Sequence, residues 1–394
     1  RRWIKAEFER ISEACGGCLE VFYVRDVIAG EERIPDSTAV VSVVAIQRGT
    51  TDPNRFVAIS GDIDSRVSDV MDATSRAPGA NDNATGVAGA LEAARVLTDH
   101  EFDASIMYAA LAGEEQGLFG GRILAEEAKE RGWRIEAFLN NDMIGNIQGQ
   151  DGVVDNTVAR VFSHAIRADA TDRMIRYLRY TGGENDSPSR NLARYVDRIA
   201  DRYVRNLDVL MIYRLDRFRR GGHHTPLNDV GYPAVRIMEA HEDYRRQHQD
   251  LRTEDGVEYG DVLSEVEVDF AAKMTGLNAA VLASLAWAPA PPTGVEVSGA
   301  VEPSTTLSWD GAGGPGAGGP AGYRVYWRRT DAPRWQKSAW AGDVTEHTLE
   351  DVVIDNFLFG VAAVSEDGFE SPVVFPGPLG SFLPVSMQER GEGE

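Results

Sequence analysis

Three scarcities bound what this chain can do. Positive charge is the first: 40 lysines and arginines face 62 aspartates and glutamates, for a formal net charge of -22. Nucleic acid binding relies on Lys and Arg neutralising phosphates, so the balance argues against a nucleic acid partner. The one basic cluster, Arg214 to Arg220, is short and reads as a solvated face. Long apolar runs are the second. The longest, such as Phe56 to Ser60 and Val361 to Val364, stop far short of the roughly 20 residues that cross a bilayer, so no membrane span is expected. Cysteine is the third, with only Cys15 and Cys18, in a Cys-Gly-Gly-Cys run. That run could be a small disulfide ring, a redox pair or half of a metal site. It follows a helical stretch and precedes the strand-like Leu19 to Val24, the reverse of a thioredoxin-type arrangement, so a local disulfide or two idle thiols is the better reading.

What is present is the composition of an ordinary globular protein, 43% hydrophobic and 26% charged. The length suits one large domain and one small one. From Arg1 to Leu285 short apolar runs alternate with amphipathic stretches, the pattern of an α/β domain with a mixed, mostly parallel sheet flanked by helices. Strands are expected at Leu19 to Val24, Ala39 to Gln47, Arg55 to Ser60, Ser105 to Ala112, Ile135 to Asn140 and Ala234 to Met238. Helical spacing predicts helices over Thr85 to Leu97, Ile123 to Arg131 and Arg190 to Arg205. The proline-rich Ala288 to Thr293 ends an Ala-rich helix and marks a boundary. Beyond it, short alternating strands around Val295, Trp309, Tyr323 to Trp327 and Phe357 to Val364 are separated by Gly- and Pro-rich turns, as a small all-β sandwich requires. The expected divisions are 1–287, 288–378 and a charged tail, 379–394, whose last residues fray.

Five segments place acids and histidines just beyond strand ends, where open α/β sheets build their sites. They are Gly61-Asp62-Ile63-Asp64-Ser65, Ala77-Pro78-Gly79-Ala80-Asn81-Asp82-Asn83, Ala112-Gly113-Glu114-Glu115-Gln116-Gly117, Asn140-Asn141-Asp142-Met143-Ile144-Gly145 and Gly221-Gly222-His223-His224-Thr225-Pro226. Singly, each has an ordinary explanation. Asp82 precedes a helix and could be its N-cap, Asp142 could close a strand, and His224 could be a loop histidine. Glu114 and Glu115 could favour the dipole of the next helix, although adjacent carboxylates leaving a buried strand also invite a cation.

Jointly, in order and type, these segments resemble the M28 family of zinc peptidases over most of residues 1–285, down to Gly231-Tyr232-Pro233-Ala234-Val235. The resemblance implies a zinc-exopeptidase type of fold and a metallo-aminopeptidase acting on a peptide or aminoacyl substrate. It implies two divalent metal ions, zinc in the family, bridged by Asp82. Asp142 would complete one site with Asp62, and Glu115 with His224 the other. Glu114 would be the general base and Asp64 a supporting carboxylate, and the Asp82–Asn83 peptide would be cis. The chain departs from the family at two positions: Asp62 stands where the family has its first histidine ligand, and His223 where it has an aspartate. An all-oxygen first site would favour ions harder than zinc, and His223 is read as an outer-shell residue. Tyr213 and Arg217, just ahead of the last motif, are candidate substrate contacts, and Tyr244 and His248 are read as buttressing the site.

The strands after residue 288 resemble a fibronectin type III module, on Trp309, Tyr323-Arg324-Val325-Tyr326-Trp327 and the ending at Val361 to Pro372. The chain opens in a helical pattern with no charged n-region and apolar h-region, so the expectation of a secreted or periplasmic protein rests on the resemblance. Two other readings keep the fold: a single-metal acyl transferase or cyclase, and a non-catalytic binding relative.

Overall fold

A computed structural model describes residues 1–312 and 319–388. Most of the glycine-rich stretch 311–319, and the frayed end expected at 389–394, lie outside the described residues.

Eight strands form the main sheet: β1 (Leu19–Ile28), β2 (Thr38–Gln47), β3 (Asp52–Asp62), β4 (Ala104–Leu111), β5 (Arg134–Asn141), β6 (Val158–Phe162), β7 (Asp208–Ile212) and β8 (Ala234–Glu239), in the order β1-β2-β4-β3-β5-β8-β6-β7. The central four, β4-β3-β5-β8, run parallel, while β1, β2 and β6 pair antiparallel with their inner neighbours. Strand β4 is buried along its whole length, as expected of a strand covered on both faces.

Helices α1 (Arg2–Ala14), α2 (Thr85–Leu97), α5 (Pro188–Tyr203) and α7 (Val268–Trp287) cover one face; α3 (Phe119–Glu130) and α6 (His224–Asp229) cover the other. A further helix, α4 (Asp172–Thr181), lies in the insertion before α5. Val87, Ala90, Ala94 and Leu97 recur at helical spacing in α2 and are buried against the sheet. Gly61 makes that packing possible, because a Cβ there would lie 2.2 Å from the Gly86 carbonyl carbon. The end of β3, and with it Asp62, is thereby seated against the start of α2. Cys15 and Cys18 form a disulfide between α1 and β1.

After α7 and a small hairpin, β9 (Arg252–Glu254) with β10 (Val257–Tyr259), come two antiparallel three-stranded sheets. One is β11 (Thr293–Ser298), β12 (Thr305–Asp310) and β15 (Glu346–Leu349); the other is β14 (Lys337–Gly342), β13 (Gly322–Arg329) and β16 (Phe357–Val364). Val295, Leu307 and Trp309 from the first pack with Tyr323, Val325, Phe359 and Val361 from the second in one core.

This β unit docks on α5 and the loop before it. Asp186, buried in that loop, accepts from Arg194 Nη1 at 2.9 Å and from Arg328 Nη2, on β13, at 2.6 Å. Removing a partner from a buried charge cluster typically costs about 3–5 kcal/mol, because the remaining charges lose compensation without regaining water. Asp186→Ala is therefore expected to bring the urea unfolding transition forward by an amount of that order, and an unshifted transition would contradict this account of the interface.

Candidate metal centre

The parallel strands β3, β4 and β5 deliver Asp62, Glu114, Glu115 and Asp142 to one edge of the sheet, and the turn into α2 brings Asp82 over them. The backbone of both acidic loops is fixed by further carboxylates. Asp64 Oδ1 accepts from the amides of Gly113 (2.7 Å) and Glu114 (3.3 Å), and its Oδ2 accepts from Glu115 N at 3.1 Å. Asp261 accepts from Asn81 N at 2.8 Å and Asp82 N at 2.7 Å. Asn83 ties the group together: its amide donates to Asp62 Oδ2 (2.6 Å) and the Asn141 carbonyl (2.7 Å). The Asp82–Asn83 peptide is cis.

Asp82 and Glu115 converge on a histidine, and that histidine is His248. Its Nε2 lies 3.0 Å from Asp82 Oδ2 and 3.0 Å from Glu115 Oε1. Ligand atoms of these three residues all fall within 4.8 Å of one another, a group that could hold a metal ion. His248 has φ of 53°, in the left-handed region.

His224, the ligand expected from the resemblance, is elsewhere. It is fully buried, its Nε2 donates to the Leu215 carbonyl at 2.9 Å, and Asp216 Oδ2 lies 3.4 Å from the same nitrogen. A ring nitrogen whose proton is engaged by a carbonyl has no lone pair for a metal. The structure thus brings His248, rather than the expected His224, to Asp82 and Glu115. His248 lies in the stretch read only as buttressing, although its position after a run of charged residues following β8 was visible.

The remaining expected residues divide. Asp142 is near Asp62 and Asp82, but its Oδ2 pairs with Arg236 Nη2 at 2.7 Å. Arg236, unnoticed in the sequence, is buried on β8 and also holds Asp216 through Nη1 at 3.1 and 3.0 Å. Arg217 donates to Glu242 Oε2 at 2.9 Å, and its charge helps hold Asp82 down. The Tyr213 hydroxyl donates to the Pro333 carbonyl at 3.1 Å, and its ring lies against the Arg190 guanidinium. Tyr244 is largely exposed.

Electrostatics show what the cluster needs. Burial, then the charges of Asp142 and Asp64, pushes the Asp62 carboxyl well above the usual range. Burial, then Asp142 and Asp62, does the same to Glu114. Burial raises Asp142 to about 6 against the pull of Arg236. For Asp82 the burial penalty is outweighed by the hydrogen bond and charge of His248, and it is held low. His248 in turn is lifted to about 9 by Asp82 and Glu115, although burial opposes its charge. Carboxylates this close, with Asp62 Oδ1 and Asp142 Oδ1 buried and without hydrogen-bond partners, fit divalent cations.

The sequence profile of peptidase family M28 matches residues 42–261. A probable zinc metalloprotease of Pyrenophora teres f. teres is 40% identical over 382 residues, covering 96% of this chain and 78% of the relative. A probable zinc metalloprotease of Leptosphaeria maculans is 41% identical over 379 residues, covering 96% and 87%. The crystal structure of the Legionella pneumophila LapA aminopeptidase superposes with a TM-score of 0.51 at 20% identity, over 73% of this chain and 62% of that one, a likeness of fold alone. With the profile spanning more than half of the chain and these relatives nearly all of it, the chain belongs to peptidase family M28.

Proposed function

We propose that this M28 peptidase is a metal-dependent aminopeptidase, and the convergence of Asp82, Glu115 and His248 beside Glu114 is the observation that carries the reading. Asp82, Glu115 and His248 would hold one divalent ion; Asp62 and Asp142, with Asp82 shared, would hold the other. When bound there, such ions polarise the scissile carbonyl and acidify water. Glu114 takes the proton of the attacking water and returns it to the leaving amine as the carbon–nitrogen bond breaks. Asp64 keeps Glu114 and Glu115 aimed by accepting their amides. The surplus of carboxylate around the centre supports recognition of a free α-amino group. The β unit fits a fibronectin type III-like module without chemistry of its own, and the Cys15–Cys18 disulfide supports a secreted or periplasmic location.

One observation favours a single-ion version: among the described residues only Asp82, Glu115 and His248 converge tightly, while Asp142 already has a cation in Arg236. Elemental analysis, paired with hydrolysis of aminoacyl amides before and after chelation, separates the versions. Two ions per chain with chelator-sensitive release are expected, and one ion with full activity would move the mechanism to the His248 site alone. No ion and no release after adding Zn²⁺, Mn²⁺ or Co²⁺ would sink the peptidase reading for this chain.

A further inference from the structure

The two positions at which the chain departs from its family meet in space. His223 Nε2 lies 3.4 Å from Asp62 Oδ1; both side chains are buried, and among the described residues neither atom has a hydrogen-bond partner of standard geometry. The other face of the ring is fixed by α3. Gly121, in the first turn of that helix, has an amide with no partner within its own helix, and it donates to His223 Nδ1 at 3.0 Å. A Cβ at Gly121 would lie 2.9 Å from that nitrogen, so the missing side chain lets the ring reach the helix backbone.

That contact decides the tautomer. A backbone amide can only donate, so Nδ1 must be the lone-pair nitrogen, and the neutral imidazole carries its proton on Nε2. Nε2 then carries the hydrogen, with the Asp62 carboxylate 3.4 Å away, and has no lone pair for a cation. The Nδ1 of His248 instead contacts a side chain, Arg66 Nη2 at 3.1 Å, whose guanidinium also lies 3.4 Å from Glu115. We infer that His223 is a positioning residue whose Nε2–H holds the Asp62 carboxylate, with Asn83 on its other oxygen, so that Asp62 presents oxygen to the first cation. Usually a carboxylate orients a metal-bound imidazole through its far nitrogen; here ligand and orienting group have exchanged chemistry. The inference rests on the two-ion reading proposed above.

The test measures Co²⁺ binding to this chain, residues 1–394, stripped of metal, by absorbance titration, with zinc content and circular dichroism alongside. His223→Ala is expected to weaken one of the two sites by about 10- to 100-fold, the usual loss for an outer-shell partner, and to leave the other unchanged. His223→Gln is expected to recover most of that affinity, because its amide can accept from Gly121 and donate to Asp62. The double exchange D62H/H223D is expected to bind both ions and to shift the cobalt spectrum as a nitrogen ligand enters. Two ions in the wild type with unchanged affinities in His223→Ala would overturn the inference alone. So would a cobalt spectrum showing that His223→Gln loses a nitrogen ligand, since the imidazole would then itself be the ligand. A wild-type chain that binds one ion overturns the two-ion reading, and the inference falls with it.

Discussion

Glu114→Gln is expected to lower kcat on an aminoacyl amide by about 10²- to 10⁴-fold, the usual contribution of a positioned general base, with metal content unchanged. Glutamine keeps the size of the side chain and its place on the Asp64-clamped loop but cannot take a proton from water. Glu114 also belongs to neither expected ligand set, since its neighbour Glu115 is the residue that approaches Asp82 and His248. Steady-state kinetics with elemental analysis of the same preparation is the measurement. A glutamine variant that keeps its metal and more than a tenth of its activity would remove Glu114 from the mechanism.

The second large effect separates two histidines. His248→Ala deletes a proposed ligand and leaves Asp82 and Glu115 facing each other without the positive charge between them. Loss of one ion per chain and a fall in activity beyond the 10- to 100-fold typical of outer-shell changes are expected. His224→Ala breaks the bond to the Leu215 carbonyl and the contacts with Asp216 and Asn140 Oδ1. Its expected cost is stability, about 1–3 kcal/mol for buried groups left unpaired, with both ions retained. Zinc content and chelator competition on the two variants decide the matter; the opposite pattern would return His224 to the ligand set.

Much of the main sheet was legible because its central strands are long, apolar and bounded by turns. Helix α2 has the bounds that the sequence predicts, Thr85 to Leu97, since Val87, Leu91, Ala94 and Leu97 recur at helical spacing and pack toward the core. Strands β6 and β7 were not foreseen: each has five residues, and β6 carries Arg160 in its middle. So short a run gives no usable alternation. Helix α7 is the Ala-rich helix that the proline-rich boundary ends; its start is not legible, because its C-terminal half, Val281 to Ala286, is buried on every side and shows little amphipathic period.

Within the site, local sequence determined the acids. Asp62 ends β3, Asp142 follows β5 directly, Glu114 and Glu115 lie just beyond β4, and Asp82 lies just before α2, so their gathering follows from the order of the parallel strands. The histidines and arginines were decided by tertiary structure. His224 and His248 flank β8 in sequence, and either could return to the centre; hydrogen bonding to Leu215 holds one away, and the loop after β8 carries the other over Asp82 and Glu115. Arg236 looks like one more residue of a strand until the sheet sets β8 beside β5 and its guanidinium against Asp142. Composition and spacing thus specify which carboxylates gather, because strand ends are local features. Which cation or imidazole faces each carboxylate depends on contacts between segments far apart in the chain, and only the folded packing sets those.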